Sequence, residues 1–135
     1  MPEELSFTRF EQAAARHPDH TALVLLGKRF SYSRLQELTD RFATVLSRLG
    51  VAKGDRVLLY LSNSPQLVIA YLAAQKLGAA VVLVSPIYTS HEVGYMVEDS
   101  GAKVVICHDT NFGYVQEVLA ATGLEHIIVT NLLDL

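Results

Sequence analysis

The sequence predicts an α/β fold, a largely parallel sheet flanked by helices, and three observations carry that prediction. Residues 64–107 alternate helix, strand, helix and strand, with a stop signal at every junction. The run Ala79-Ala80-Val81-Val82-Leu83-Val84 is apolar throughout and bounded by turn residues, as suits a strand covered on both faces. Residues 103–107 repeat that pattern in a shorter run. Alternation of this kind implies right-handed βαβ units.

Taken in order, Phe7, Phe10, Ala13 and Ala14 stand at helical spacing, and His17, Pro18 and Asp19 end that helix at Arg16. Residues 21–26 and 29–32 read as two short strands joined at Gly27-Lys28 in a hairpin. Ser33 and Gln36 form a capping-box pair for the next helix, in which Leu35, Leu38, Phe42, Val45, Leu46 and Leu49 repeat on one face up to Gly50. Arg34, Glu37, Asp40, Arg41 and Arg48 make its wet side. A turn over 51–55 leads to a strand over 56–61, which stops at Ser62-Asn63. Ser64 and Pro65 open a helix, because the hydroxyl accepts an early N–H and proline fits the first helical position. Gly78 ends it. Ser90 is expected to cap a further helix closing at Ser100-Gly101, followed by the strand over 103–107. A helix over about 111–121, a stop at Gly123 and a strand over 126–130 complete the pattern, and residues 131–135 follow without a terminal element.

A chain of 135 residues suits a single domain over 1–135, since a chain of this length buries roughly two thirds of its unfolded surface. Half of its residues are hydrophobic and the mean hydropathy is +0.27, which is high for a free-standing domain. A fully covered sheet explains part of this; a face meant for another part of a longer protein explains the rest equally well. A net charge of −3 and a pI near 5.9 give no electrostatic footprint for nucleic acid or an anionic membrane. One cysteine builds no disulfide framework, and Met1-Pro2-Glu3-Glu4 is no signal peptide, so the expected compartment is the cytoplasm. Residues 67–84 are apolar apart from Gln75 and Lys76, but Gly78 breaks the stretch, and a capped helix followed by a strand accounts for it without a membrane span.

Two stretches together resemble adenylate-forming (AMP-binding) enzymes. Phe30-Ser31-Tyr32-Ser33-Arg34-Leu35-Gln36-Glu37-Leu38 is similar to their first conserved motif. Gln75-Lys76-Leu77-Gly78-Ala79-Ala80, with Ser85-Pro86 after it, is similar to their second. Gly54-Asp55-Arg56-Val57 lies between them where the family has Gly-Asp-x-Val, and Ala15-Arg16-His17-Pro18-Asp19 with Ala22-Leu23 resembles the family's opening. Within the family, Ser85-Pro86-Ile87-Tyr88-Thr89-Ser90-His91-Glu92-Val93 and Asp99-Ser100-Gly101-Ala102 most resemble acyl-CoA synthetases, above all fatty-acid CoA ligases, with Ser85 in place of Asn and Ser90 in place of Pro. Peptide-synthetase adenylation domains tend to have Asp-Pro and Tyr-Pro there.

The resemblance implies a two-step reaction: a carboxylate attacks the α-phosphate of ATP, with Mg, to give an acyl adenylate and pyrophosphate, and the CoA thiol then displaces AMP. It also implies a phosphate-cradling Ser/Thr/Gly loop followed by Lys, an acidic residue for the ribose and a lysine on a mobile domain. None of these motifs is in this sequence. The chain is thus expected to be the N-terminal segment of a larger AMP-binding domain whose catalytic remainder is absent, with no catalytic residue of its own, no tightly bound cofactor and no activity alone. Its expected partners are that remainder, a small-molecule carboxylate and CoA, and a broad apolar face should mark the docking surface or support self-association. The rival expectation is a free-standing, non-catalytic binding or assembly module.

Ligands of open α/β sheets gather at the carboxyl ends of the strands, which directs attention to the loops after Val84 and Cys107. In CoA-using members of the family the first loop runs near the pantetheine passage, which makes Ser85, Pro86, Ile87, Tyr88 and Thr89 the contact candidates. The alternative is a turn shaped by Pro86 with Tyr88 packed at the edge of the core. The stretch 108–115 leads into a helix N-terminus but contains no Arg or Lys, so helix capping is expected there rather than a phosphate clamp. Cys107 and His108 are strand neighbours pointing to opposite faces and so form no dyad. His17, Asp19 and His20 lack the convergent partners of a metal site. Gly50 and Gly54 lack the Gly-Lys-Ser/Thr of a P-loop.

Overall fold

The computed structural model describes residues 2–25 and 27–131. Helix α1 (Pro2–Arg16) precedes a hairpin of β1 (Thr21–Leu25) and β2 (Lys28–Ser31), and α2 (Tyr32–Arg48) follows. Then β3 (Arg56–Tyr60), α3 (Pro65–Lys76), β4 (Ala80–Leu83), α4 (Ser90–Ser100), β5 (Val104–His108), a single 3-10 turn, α5 (Phe112–Leu119) and β6 (His126–Thr130) alternate to the end of the described chain. The four later strands form one parallel sheet in the order β4-β3-β5-β6. The expected α/β class, the hairpin and every predicted helix and strand are present; Leu26, read as the last residue of the first strand, lies outside the described residues.

The sheet carries its core on both faces because β3 and β5 alternate between them. Val57, Leu59 and Leu61, with Val104 and Ile106, pack against Ala43 and Leu46 of α2 and Ala70 and Ala73 of α3. Leu58, Tyr60, Val105 and Cys107 pack the other way, against Val93 and Val97 of α4 and Val115 of α5. Helix α3 also meets α1 and α2 on its outer side, where Ile69 and Leu72 join Leu35, Phe7 and Phe10. That double cover explains why residues 67–84 look so apolar: a helix buried between a sheet and two other helices has no wet face. Among the described residues no helix is long and apolar enough to cross a membrane.

Four expectations need correction. The run 79–84 is not a strand covered on both faces: among the described residues β4 is an edge strand paired only with β3, and Leu83 is 62% exposed. The covered strands are the central ones, β3 and β5. The cap of α2 is Ser31, not Ser33; Ser31 ends β2 with an extended backbone, and its Oγ accepts the Arg34 N–H at 3.1 Å. Likewise Thr89 rather than Ser90 is the N-cap of α4, with the Glu92 carboxylate accepting from the Thr89 N–H at 3.1 Å and its hydroxyl at 2.9 Å. Ser90, one residue inside, donates instead to Glu117 and ties α4 to α5. Finally, the buried line of α2 is Leu35, Thr39, Ala43 and Leu46, because small side chains there let α2 approach the alanines of α3. Leu38 and Phe42 are left half-buried and Val45 exposed.

At the amino end of the sheet, the Asp55 carboxylate accepts from the Ala52 N–H at 2.8 Å and from Lys103 Nζ at 3.0 Å, and Lys103 also reaches the Gly50 carbonyl at 3.1 Å. The Ala52 N–H, and then Lys103, hold the Asp55 carboxyl below its ordinary 3.8, while Asp55 raises Lys103 above its ordinary 10.5. A carboxyl lowered on folding contributes stability that is complete above its unfolded value and lost as the pH falls through the folded one. The raised lysine behaves in the opposite sense and loses its contribution as the pH rises through its folded value. Asp55→Asn is therefore expected to lower the urea midpoint at pH 7 and to leave it nearly unchanged at pH 2, as a pair of denaturation curves will check.

Candidate functional site: the carboxyl edge of the sheet

The strand order sets where a ligand crevice belongs. From β3 the chain crosses through α3 to β4 on one side, and from β4 it returns through α4 past β3 to β5 on the other. The switch point is between β3 and β5, and open α/β sheets bind ligands in the crevice outside the carboxyl ends of the strands there.

A polar pair occupies that point. Ser62, just after β3, places its Oγ 2.9 Å from Nε2 of His108, the last residue of β5. His108 is only 6% exposed, and its Nδ1 has no hydrogen-bond partner. In the neutral ring the proton therefore belongs on Nε2, because a buried bare acceptor costs less than a buried N–H without a partner. So assigned, His108 donates to Ser62, and the half-buried Ser62 hydroxyl is left with its own proton to give. Ser64 Oγ donates to the Ser62 carbonyl at 3.0 Å and accepts the Leu67 N–H at 3.3 Å as the cap of α3.

The candidate loop lies on the β4 side of this crevice, where neighbouring elements hold its backbone. Tyr60 of β3, fully buried, donates its hydroxyl to the Tyr88 carbonyl, and Asn111 Nδ2 donates to the Pro86 carbonyl at 3.0 Å. Within the loop, the Tyr88 N–H donates to the Ser85 carbonyl at 3.1 Å, and the Ile87 N–H to Ser85 Oγ at 3.4 Å. With its polar backbone engaged internally, the loop presents Ile87 at 84% exposure. Thr89 is exposed too and Tyr88 is 37% exposed, while the Tyr88 carbonyl, accepting from Tyr60, ties the turn to β3. Ser85 and Pro86 are half-buried behind them.

No Lys or Arg occurs in the loops 61–66, 84–89 and 108–113 or at 130–131, while Asp109 does. These residues do not fit a nucleotide phosphate. Cys107 lies fully buried in the α4 and α5 face, and burial pushes its thiol up to about 11. It is expected to resist a water-soluble disulfide reagent at pH 8 in the native state and to react once unfolded, which a thiol titration with and without urea will check. The rings of His17 and His20 stack at 4.7 Å, and among the described residues no group of three His, Cys, Asp or Glu side chains converges.

On the α2 and α3 face of the sheet an apolar groove of about 250 Å³ remains open. Leu38, Phe42 and Val45 of α2, Ile69 of α3, Ile106 and Ile128 form its walls. It lies where α3 covers the sheet on one side and the half-buried Leu38 and Phe42 and the exposed Val45 of α2 stand on the other. Gln66 closes one end, donating from Nε2 to the Asn131 carbonyl at 2.7 Å and leaving its buried Oε1 without a partner.

The Ser62–His108 pair escapes sequence reading. The two residues are 46 positions apart and meet only because β3 and β5 are neighbours. A serine directly after one apolar strand and a histidine at the end of another were the available signals.

An open, doubly wound parallel sheet with helices on both faces and a polar pair at its switch point defines an α/β protein of the class whose members bind ligands at that edge. This chain belongs to the AMP-binding enzyme family, whose sequence profile it matches over residues 10–135. A long-chain-fatty-acid–CoA ligase of Escherichia coli is 35% identical over 127 residues, which are 93% of this chain and 22% of that protein. Tyrocidine synthase 2 of Brevibacillus parabrevis is 42% identical over 99 residues, 73% of this chain and 3% of that protein. The solved structure of a Mycobacterium tuberculosis fatty acyl CoA synthetase aligns with a TM-score of 0.86 at 31% identity, covering 94% of this chain and 26% of that one. The chain thus spans about a fifth to a quarter of the ligases it matches.

Proposed function

We propose that this chain is the N-terminal segment of an ATP-dependent acyl-CoA synthetase acting on long- or medium-chain fatty acids. The observation that carries the reading is the 35% identity to the Escherichia coli ligase, which extends over 93% of this chain but only 22% of that protein. On this reading the complete enzyme converts a carboxylate and ATP, with Mg, to an acyl adenylate and pyrophosphate, then transfers the acyl group to CoA, in the cytoplasm. Residues 1–135 are one part of its larger AMP-binding domain. They contribute scaffold and no catalytic residue, which agrees with a carboxyl edge free of Lys and Arg. The remainder of the enzyme is the principal partner, and the open apolar groove beside Phe42 and Ile128 offers it a docking face. The same groove is available for self-association of the isolated chain. Ser85, Pro86, Ile87, Tyr88 and Thr89 form a wall of the substrate or CoA passage, supported by a backbone fixed through Tyr60 and Asn111 and by the outward Ile87.

A chimera in which the matching 127 residues of the Escherichia coli ligase are replaced by this chain tests the reading. It is expected to form acyl-CoA from a fatty acid. Within it, Ile87→Asp is expected to raise the KM for CoA by roughly tenfold, through a desolvated carboxylate in the passage, with pyrophosphate exchange unchanged. A folded chimera unable to form acyl adenylate overturns the assignment, and an Ile87→Asp chimera with an unchanged KM overturns the role of the loop. The identity to tyrocidine synthase 2 favours a second reading, the adenylation domain of a peptide synthetase. That reading predicts pyrophosphate exchange driven by an amino acid and none by a fatty acid.

A further inference from the structure

Among the described residues, α5 holds the turn between β4 and α4 at both ends. Asn111 Nδ2, at the start of α5, donates to the Pro86 carbonyl at 3.0 Å, and Glu117, further along the helix, accepts from the Ser90 hydroxyl. Between them the Tyr88 carbonyl is held by Tyr60 of β3. Asn111 and Pro86 are 25 positions apart, so no local chemistry dictates their bond. Asn111 stands at the N-cap of α5, where an asparagine side chain ordinarily accepts an N–H of the first turn, yet its side chain makes no such bond. Its backbone, at φ −109° and ψ 1°, is not the extended one from which a capping side chain reaches that turn. The helix capping expected for the stretch 108–115 is therefore not what this side chain does. The half-buried amide turns instead to a carbonyl of another loop.

We infer that Asn111 is a positioning residue, which from the start of α5 sets the conformation of residues 85–89 and so the shape of the passage they wall. The inference rests on the reading of that loop as a wall of the substrate or CoA passage. The Pro86 carbonyl lies in the same rigid peptide plane as the Ile87 nitrogen and Cα. A hydrogen bond is directional, so holding that carbonyl fixes the plane, and the side chain of Ile87 departs from it in a set direction. Within the turn, the Tyr88 N–H reaches back to the Ser85 carbonyl at 3.1 Å and closes the backbone around Pro86 and Ile87. Ile87 thus stands out at 84% exposure from a backbone that α5 and β3 hold from behind.

Asn111→Asp separates positioning from capping. Aspartate caps helices as well as asparagine does, but when ionised it has no N–H to give the Pro86 carbonyl. In the 135-residue chain the variant is expected to quicken amide exchange at Tyr88 by roughly two- to tenfold, the factor set by one ordinary intramolecular hydrogen bond, with unchanged far-UV circular dichroism. In the chimera with the Escherichia coli ligase it is expected to raise the KM for CoA by a similar factor, roughly two- to tenfold, and to leave the kcat of pyrophosphate exchange as it was. Asn111→Ala, which adds no charge, should move both readouts the same way and serves in its place if the aspartate variant does not fold. A folded variant whose Tyr88 exchange is unchanged overturns the inference, as does quickened exchange with the KM for CoA unmoved. A fall in pyrophosphate exchange that matches the rise in KM marks a general loss of structure and overturns it too. Failure of the underlying reading looks different, because the unaltered chimera then forms no acyl-CoA.

Discussion

Replacing Leu59 by alanine is expected to cost about 2–5 kcal/mol of stability, the range for deleting a buried leucine side chain that its surroundings cannot collapse onto. Leu59 is fully buried in the central strand, in register with Leu83 of β4 on one side and Ile106 of β5 on the other. Its side chain packs in the cluster that joins α2 and α3 to the sheet. A domain of this size has roughly 5–15 kcal/mol in total, so the loss will show as a large drop in the urea midpoint at unchanged slope. Leu83→Ala is the control. In register beside Leu59 but 62% exposed on the edge strand, it is expected to change stability by less than about 1 kcal/mol. Equal losses at the two positions would mean that β3 is not the inner strand.

Tyr60→Ala is expected to cost about 3–5 kcal/mol, by analogy with other buried aromatic truncations, and to release the loop that follows β4. Tyr60 is the largest fully buried side chain, and it lies on the opposite face of the strand from Leu59, among Val93, Val97 and Val115. Burial raises its phenol above the ordinary 10.0, and the neighbourhood of Tyr114 adds to this. A phenol raised on folding contributes stability that is complete below pH 10 and fades as the pH climbs through the folded value. Tyr60→Phe keeps the packing and removes only the bond to the Tyr88 carbonyl, so about 0.5–1.5 kcal/mol should go. In that variant the amides of Ile87 and Tyr88 are expected to exchange faster than in the wild type. Faster exchange with little loss of stability would locate the role of the hydroxyl in the loop.

What was legible in the sequence is what local chemistry decides. Ser64-Pro65 and Gly78 set the ends of α3 because capping depends on a few adjacent residues, and Gly78 indeed adopts φ +75°. Where two hydroxyl residues stand close together, the sequence does not say which one caps. Sequence spacing points to Ser33 and Ser90, but the caps are Ser31 and Thr89, the residues whose backbone is still extended. Strand order was illegible for a different reason: Val81 to Leu83 look as apolar as Leu58 to Tyr60, and only the topology makes one an edge and the other a centre. The candidate loop around Pro86 could be found because a proline turn after an apolar run, and the resemblance to a family, both point there. Ser62 and His108 could not, since their meeting follows from the same strand order.

The central claim is that this chain is a scaffold segment without a nucleotide or CoA site of its own. Isothermal titration calorimetry of the 135-residue chain with ATP and Mg, with CoA and with a long-chain acyl-CoA tests it most directly. The expected result is no saturable binding tighter than about 1 mM for any of the three. Stoichiometric, saturable binding of one of them to the folded chain would contradict the claim and identify a free-standing binding module.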